Sequence, residues 1–145
     1  MSIANLLENR VLLEKQLFWL KHSFGEVQKI GQKPEYEVFE FDSYENLCSR
    51  FSRTIDFLVR KIFRSIDAVE FENQGTLIDT VNHAHKRGLF EDIETIRKIK
   101  DLRNEIAHEY IDDALEDLFE DIVRLTPYLI EIVEKTLKYT LQYQK

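Results

Sequence analysis

The sequence predicts an all-α fold: an antiparallel, up-and-down helical bundle of four long helices and one short one, in a single domain over residues 1–145. Three observations predict it. Chain breakers are scarce, with four glycines and two prolines in 145 residues, which favours long helices over a many-turned β fold. Apolar residues recur at helical spacing along most of the chain. The one stretch that alternates like a strand, residues 35–41, has no second strand to pair with.

The first helix runs from about Ser2 to Ile30. Ile3, Leu6, Leu13, Leu17, Leu20 and Phe24 form its apolar stripe, widened by Leu7, Val11 and Phe18. Gly31 and Pro34 end it, glycine by accepting left-handed backbone and proline by lacking an N–H. Residues 35–41 read as an extended connection whose aromatics pack on the bundle. Asp42 or Ser43 is the expected cap of a second helix reaching about Val69. Its seam is Tyr44, Leu47, Phe51, Ile55, Leu58, Ile62, Ile66 and Val69.

Gly75 and Thr76 open a third, shorter helix. Gly88 closes it just after Lys86 and Arg87, cations that complement the negative end of the helix dipole. A fourth helix is expected from about Glu91 to Glu109, with Ile93, Ile96, Ile99, Leu102 and Ile106 inward. Asp112 and Asp113 then begin a last helix to about Leu141, with Glu116 and Asp117 adding to the acidic first turns. Pro127 in its interior should bend it. This helix carries two apolar seams. One is Leu115, Leu118, Ile122, Leu125, Leu129 and Ile132; the other is Phe119, Val123, Ile130, Val133 and Leu137. The excess predicts a central position or a subunit interface.

Composition bounds the function. A net charge of −7 argues against non-specific nucleic-acid binding by bulk electrostatics, so any RNA contact must rest on a local basic patch. The lone cysteine, Cys48, has no partner for an internal disulfide, and a reducing cytoplasm is the expected setting. No secretory signal is read, because Glu8, Arg10, Glu14 and Lys15 interrupt the first leucines. No run approaches the roughly 18 apolar residues of a membrane span.

The chemistry-bearing segment is Asp101-Leu102-Arg103-Asn104-Glu105-Ile106-Ala107-His108-Glu109-Tyr110. An Arg-x4-His-x-Tyr pattern is expected by chance roughly 0.01 times in a chain of this composition. At about 100° per residue, Arg97, Asp101, Asn104 and His108 form one stripe pointing away from Ile99, Leu102 and Ile106. Arg103 flanks the buried seam, its stem on apolar surface and its guanidinium reaching outward. Arg103 and His108 sit about 140° apart on an ideal helix, so they meet only at a frayed end or across a two-fold axis. A dimeric site follows. Histidine transfers protons near neutral pH; arginine offers a phosphate a permanent charge and a fork of donors. Asn104 is suited to bond the phosphate or fix the imidazole. The set fits metal-independent cleavage of an RNA phosphodiester, with no metal or other cofactor expected.

These residues resemble the Arg-x4-His-x-Tyr signature of HEPN-domain ribonuclease toxins of the HepT type. The likeness extends through Gly75-Thr76-Leu77-Ile78-Asp79-Thr80-Val81 and Lys86-Arg87-Gly88-Leu89-Phe90, and covers roughly Tyr44 to Tyr139. It implies a dimerising HEPN-like bundle with Arg103 and His108 in the dimer cleft as a metal-independent ribonuclease site. It also implies a minimal nucleotidyltransferase antitoxin as partner, transferring AMP to Tyr110. The added charge and bulk would obstruct a site that must admit an RNA phosphate.

Around this centre, Arg53, Asp56, Arg97 and Lys100 are the expected supporting or RNA-contacting residues. Arg53 is singled out because an Arg–Asp pair there would brace the motif helix. The plainer reading of Arg53, Asp56, Arg60, Arg64 and Asp67 is a solvated stripe laced by pairs three and four apart; the functional reading is a basic wall lining an RNA groove, helped by Arg50 and Lys61. His83 and His85 point roughly 200° from each other on a helix and cannot chelate one metal together. Trp19 is read as a core or interface residue. Glu105, Glu109, Asp112 and Asp113 crowd the motif with negative charge. They favour a rival of another class: a non-catalytic helical adaptor that binds substrate for a nucleotidyltransferase. A scaffold that binds only protein is the second rival.

Overall fold

A computed structural model describes residues 2–72, 75–112 and 114–144, apart from the side chains of residues 2 and 110–112. Among the described residues all regular structure is helical. Helix α1 (Ser2–Ile30) is followed by α2 (Val38–Phe57), a π-helical turn (Leu58–Ile62) and α3 (Phe63–Val69), which join end to end as one long rod. The short α4 (Leu77–Lys86) precedes the long α5 (Ile93–Asp112) and α6 (Phe119–Thr140), with 3₁₀ turns at Leu115–Leu118 and Leu141–Tyr143. Four long rods and one short one match the sequence reading.

The rods pack in a defined order. α2 touches α1, α5 and α6, and α6 touches α1, α2 and α5. A central α2–α6 pair is thereby flanked by α1 on one side and α5 on the other. The short connections between α1 and α2 and between α5 and α6 make each of these pairs antiparallel. The predicted seam of the second rod is buried from Tyr44 through Ile66, and Phe119 stacks on Tyr44 with ring centroids 4.4 Å apart. Phe119 and Val133, from the second seam of the last helix, are as buried as the first seam. α6 therefore uses both seams inside the subunit, as its central position requires. α1 lies at the edge, so Ile3, Val11 and Phe18, expected on its buried stripe, are exposed.

Several boundaries differ from expectation. Residues 38–41 belong to α2 and not to an extended connection, and neither Asp42 nor Ser43 caps it. Glu37 is the N-cap, and its N–H donates to the Glu40 carboxylate at 2.9 Å, satisfying a backbone donor the helix start leaves open. Glu40 is itself buried and paired with Lys33. The apparent alternation has a helical cause: Tyr36 and Phe41 pack on Phe119, while Val38 and Phe39 face outward. At the other end α5 runs to Asp112, past Glu109, so Asp112 does not open the last helix; Asp113 lies outside the described residues. α6 begins at Phe119, with Glu120 and Asp121 in its first turn, and continues through Pro127 to Thr140.

The π turn had no signal in glycine or proline. Phe63 N–H reaches back five residues to Leu58 O, and Val59 and Phe63 join the buried seam there. α4 follows its predicted signals: Thr76 caps it with a bond from Asp79 N–H at 3.2 Å, and Gly88 at φ 80° turns the chain away.

Asp67, expected on a solvated stripe, is 0% exposed. A buried carboxylate needs partners. Arg87 Nη1 lies 2.8 Å from Asp67 Oδ1, an ion pair without hydrogen-bond alignment. His83 Nδ1 is 3.1 Å from Oδ2. Arg87 Nε also donates to Glu70 at 2.8 Å, and Glu70 accepts from the hydroxyls of Tyr139 and Tyr143. The cluster ties α3, α4 and the C-terminal end of α6 together. His85 turns away to the Glu91 carbonyl, 3.0 Å from its Nε2, so the two histidines do diverge.

Burial alone would raise the Glu70 pKa, but the bonds from Tyr139, Tyr143 and Arg87 outweigh it and hold the carboxyl below its ordinary range. Stability should respond to this cluster in two ways. Asp67→Ala leaves Arg87 buried with one carboxylate fewer and should cost about 3 kcal/mol in urea unfolding. Glu70 favours its charged form in the folded state, so its contribution is full above the ordinary glutamate range and fades as pH falls through the lowered value. An acid titration followed by circular dichroism should show a shallower acid limb for Glu70→Gln.

Candidate functional site

α5 carries the motif because its apolar residues fall on one side: Ile96, Ile99, Leu102 and Ile106 are all buried. Arg97, Asp101, Asn104 and His108 are consequently exposed on the other side, as the helical spacing predicts. Arg103 stands between the two faces, where α5 meets α2. Its Nε and Nη2 both donate to Asp56 Oδ2, at 3.1 and 2.9 Å. The Arg103 and Asp56 side chains are 36% and 38% exposed, so the pair sits at the surface of the α2–α5 seam.

Two hollows adjoin this pair. The smaller, about 60 Å³, is lined by Asp56, Arg60, Lys100, Arg103 and Asn104 over an apolar floor of Ile55, Val59 and Leu77. The larger, about 330 Å³, lies between α4 and α5 and is bordered by Arg97, Asp101 and Asn82. Lys100 and Asn104 border both, so the two form one continuous surface. It presents Arg60, Arg97, Lys100 and Arg103 against Asp56 and Asp101. An anion of phosphate size finds here a fixed guanidinium, a lysine and a carboxamide.

The structure thus brings Asp56, Lys100, Arg103 and Asn104 together, with Arg97 alongside and itself paired with Glu94 at 2.7 Å. It does not bring Arg53 to them. Arg53 donates to Ser49 Oγ at 3.0 Å and lies on the α1 side of α2, in a hollow shared with Trp19 and Arg50. The expected brace exists with a different donor: Arg103 grips Asp56. Asp56 is therefore not spent on a pair within its own helix, and the picture of a stripe laced by such pairs fails there. Arg60, favoured from the sequence as one member of a solvated stripe, joins the site. Its spacing of four from Asp56 was the available signal, but only the fold places it beside Arg103.

His108 lies five residues beyond Arg103, about 7.5 Å along the axis. It borders neither hollow. Both side chains reach the surface of the subunit. The side chain of Tyr110 lies outside the described residues. Among the described residues, no three His, Cys, Asp or Glu side chains gather as a metal site. No helix among them is long and apolar enough to cross a membrane. Trp19 is 44% exposed and Phe18 62%, so neither is core; the Arg50 guanidinium stands 5.1 Å over the Trp19 ring.

The Asp56–Arg103 pair is half exposed, which limits its energy. A double-mutant cycle with Asp56→Ala and Arg103→Ala, read by urea unfolding, should give a coupling of about 0.2–1 kcal/mol. A coupling of several kcal/mol would mark the pair as a structural staple and not a positioned surface guanidinium. The chain matches no protein-family model, no curated protein and no solved structure.

Proposed function

We propose that the chain is a metal-independent endoribonuclease of the HEPN type, working as a homodimer and held in check by a minimal nucleotidyltransferase antitoxin. The observation that carries this reading is the Arg103 guanidinium. Asp56 orients it at the surface, beside Lys100 and Asn104, on the helix that also exposes His108. The motif spacing supports the same reading.

In this reading Arg103 and His108 act across two subunits. Two antiparallel copies of α5 related by a two-fold axis near residues 105 and 106 bring Arg103 level with His108 of the partner subunit. That removes the axial offset of about 7.5 Å within one helix. His108 accepts the proton of a ribose 2′-OH as its oxygen attacks phosphorus. The phosphorus–O5′ bond breaks, and the proton passes to the departing oxygen, leaving a 2′,3′-cyclic phosphate and a 5′-hydroxyl. Arg103 meets the charge that develops on the non-bridging oxygens, with Asn104 as a further donor. AMP transfer to Tyr110 would place negative charge and bulk beside this cleft and close it.

One observation favours the rival adaptor reading: Asp56 already compensates Arg103. A single experiment separates the two. Purified protein is incubated with RNA in EDTA, alongside Arg103→Ala and His108→Ala. The nuclease reading expects cleavage to cyclic-phosphate ends by the wild type and a loss of about a hundredfold or more with either variant. No cleavage by any of the three would leave the adaptor. Incubation with a cognate minimal nucleotidyltransferase and ATP should label the wild type and not Tyr110→Phe.

A further inference from the structure

The long α2–α3 rod has α1 on one side and α5 on the other, and its outer ridge is cationic. Between this rod and α1 lies a groove of about 350 Å³, bordered by Asn5, Asn9, Arg60, Lys61 and Arg64. Among the described residues that line it there is no carboxylate. In a chain of net charge −7, that is a local inversion of sign. Among the described residues Arg60 and Lys61 enter no ion pair, and both lie on the π turn. Such turns recur at functional sites. Asn9 Nδ2 donates to Ser65 Oγ at 2.8 Å, which fixes the α1 wall against α3.

The decisive residue is Arg60. It borders this groove and also the hollow that holds Arg103, Lys100 and Asn104. The two sites are neighbours across one side chain. We infer that the groove between α1 and the α2–α3 rod is a binding track for single-stranded RNA, leading the strand away from the Arg103 site over Arg60.

The chemistry of the groove fits that occupant. Lysine and arginine track a phosphate backbone without reading sequence, while asparagine amides serve ribose and phosphate oxygens. Leu12 and Phe57 give the groove an apolar flank on which a base can rest. A duplex would need a broader surface than a groove of this volume. An acidic protein segment would meet the cations equally well but brings no planar base for the Leu12 and Phe57 flank.

This inference rests on the nuclease reading for its direction, and the test keeps the two apart. Binding of a fluorescein-labelled, fully 2′-O-methylated RNA 20-mer, which cannot be cleaved by 2′-OH attack, is followed by anisotropy across a salt series. Wild type is compared with Lys61→Glu/Arg64→Glu, the milder Lys61→Gln/Arg64→Gln, and a charge-matched control, Lys86→Glu/Lys138→Glu, on other faces. The track expects the groove reversal to weaken binding by about tenfold or more and to flatten the log–log salt slope by roughly 0.7 for each phosphate no longer neutralised. The glutamine pair should fall between, and the control should bind like wild type. Equal weakening by groove and control variants, or wild-type affinity in the groove variants, overturns the track whatever the cleavage assay shows. Groove-dependent binding without cleavage of unmodified RNA keeps the track and removes the nuclease. Circular dichroism of each variant guards against unfolding, and the glutamine pair stands in if the glutamate pair does not fold.

Discussion

The constraint on which the rest depends is the enclosure of the α2–α3 rod. Packed by α1 along its length, by α5 and α6 over α2, and by α4 near its end, it leaves only part of its surface open to water. Its apolar seam from Tyr44 to Ile66 is spent on the core. Whatever polar chemistry the rod carries must stand on that open part or in the seams beside it. Asp56 stands in the seam with α5 and grips Arg103; Arg53 stands in the seam with α1 and cannot reach it. Arg60 stands on the crest and borders both sides. A rod packed on one side only would have spread these groups over an open face, where none would be held against another.

The contrast between what was legible in the residues and what was not follows the range of the interactions. Local signals read well: the inward isoleucines of α5, the Thr76 cap and Gly88 stop of α4, and the exposure of Asn104 and His108 depend only on neighbours within a turn or two. Asp67 and Asp56 read poorly, since their partners Arg87 and Arg103 lie 20 and 47 residues away. No periodicity carries that information. Glu37 misled for a different reason: a capping glutamate beside outward aromatics imitates the alternation of a strand. The π turn changes the helical register without any breaker, so an even stripe of spacing passes over it.

Charge is sorted along the bundle axis in a way the total of −7 conceals. Contacts of Tyr36, Phe41 and Tyr44 with Phe119 put the end of α1, the start of α2, the start of α6 and, through the short connection, the end of α5 at one pole. That pole holds Glu35, Glu37, Asp42, Glu45, Glu109, Glu116, Asp117, Glu120 and Asp121, with Lys29, Lys33 and Arg124 among them. The waist holds Arg50, Arg53, Arg60, Lys61, Arg64, Lys100 and Arg103, with Asp56 and Asp101 among them. His108 falls toward the acidic pole and Arg103 in the cationic waist, one and a half turns apart.

Screening decides which of these fields a bound strand feels. At physiological ionic strength the Debye length is about 8 Å, so exposed charges a few turns away contribute little at the waist. A phosphate in the hollow beside Arg103 would sense Arg60 and Lys100 against Asp56, with Asp101 on the adjoining hollow. The net charge of the whole chain is then the wrong quantity by which to judge affinity for an anion. It governs instead which surfaces stay apart: a polyanion approaching the acidic pole is repelled, and the waist is left as the surface where its backbone can settle. An acidic chain is compatible with an anionic ligand where cations gather at one surface, as Arg60, Lys100 and Arg103 do here in the seam between α2 and α5, around Asp56.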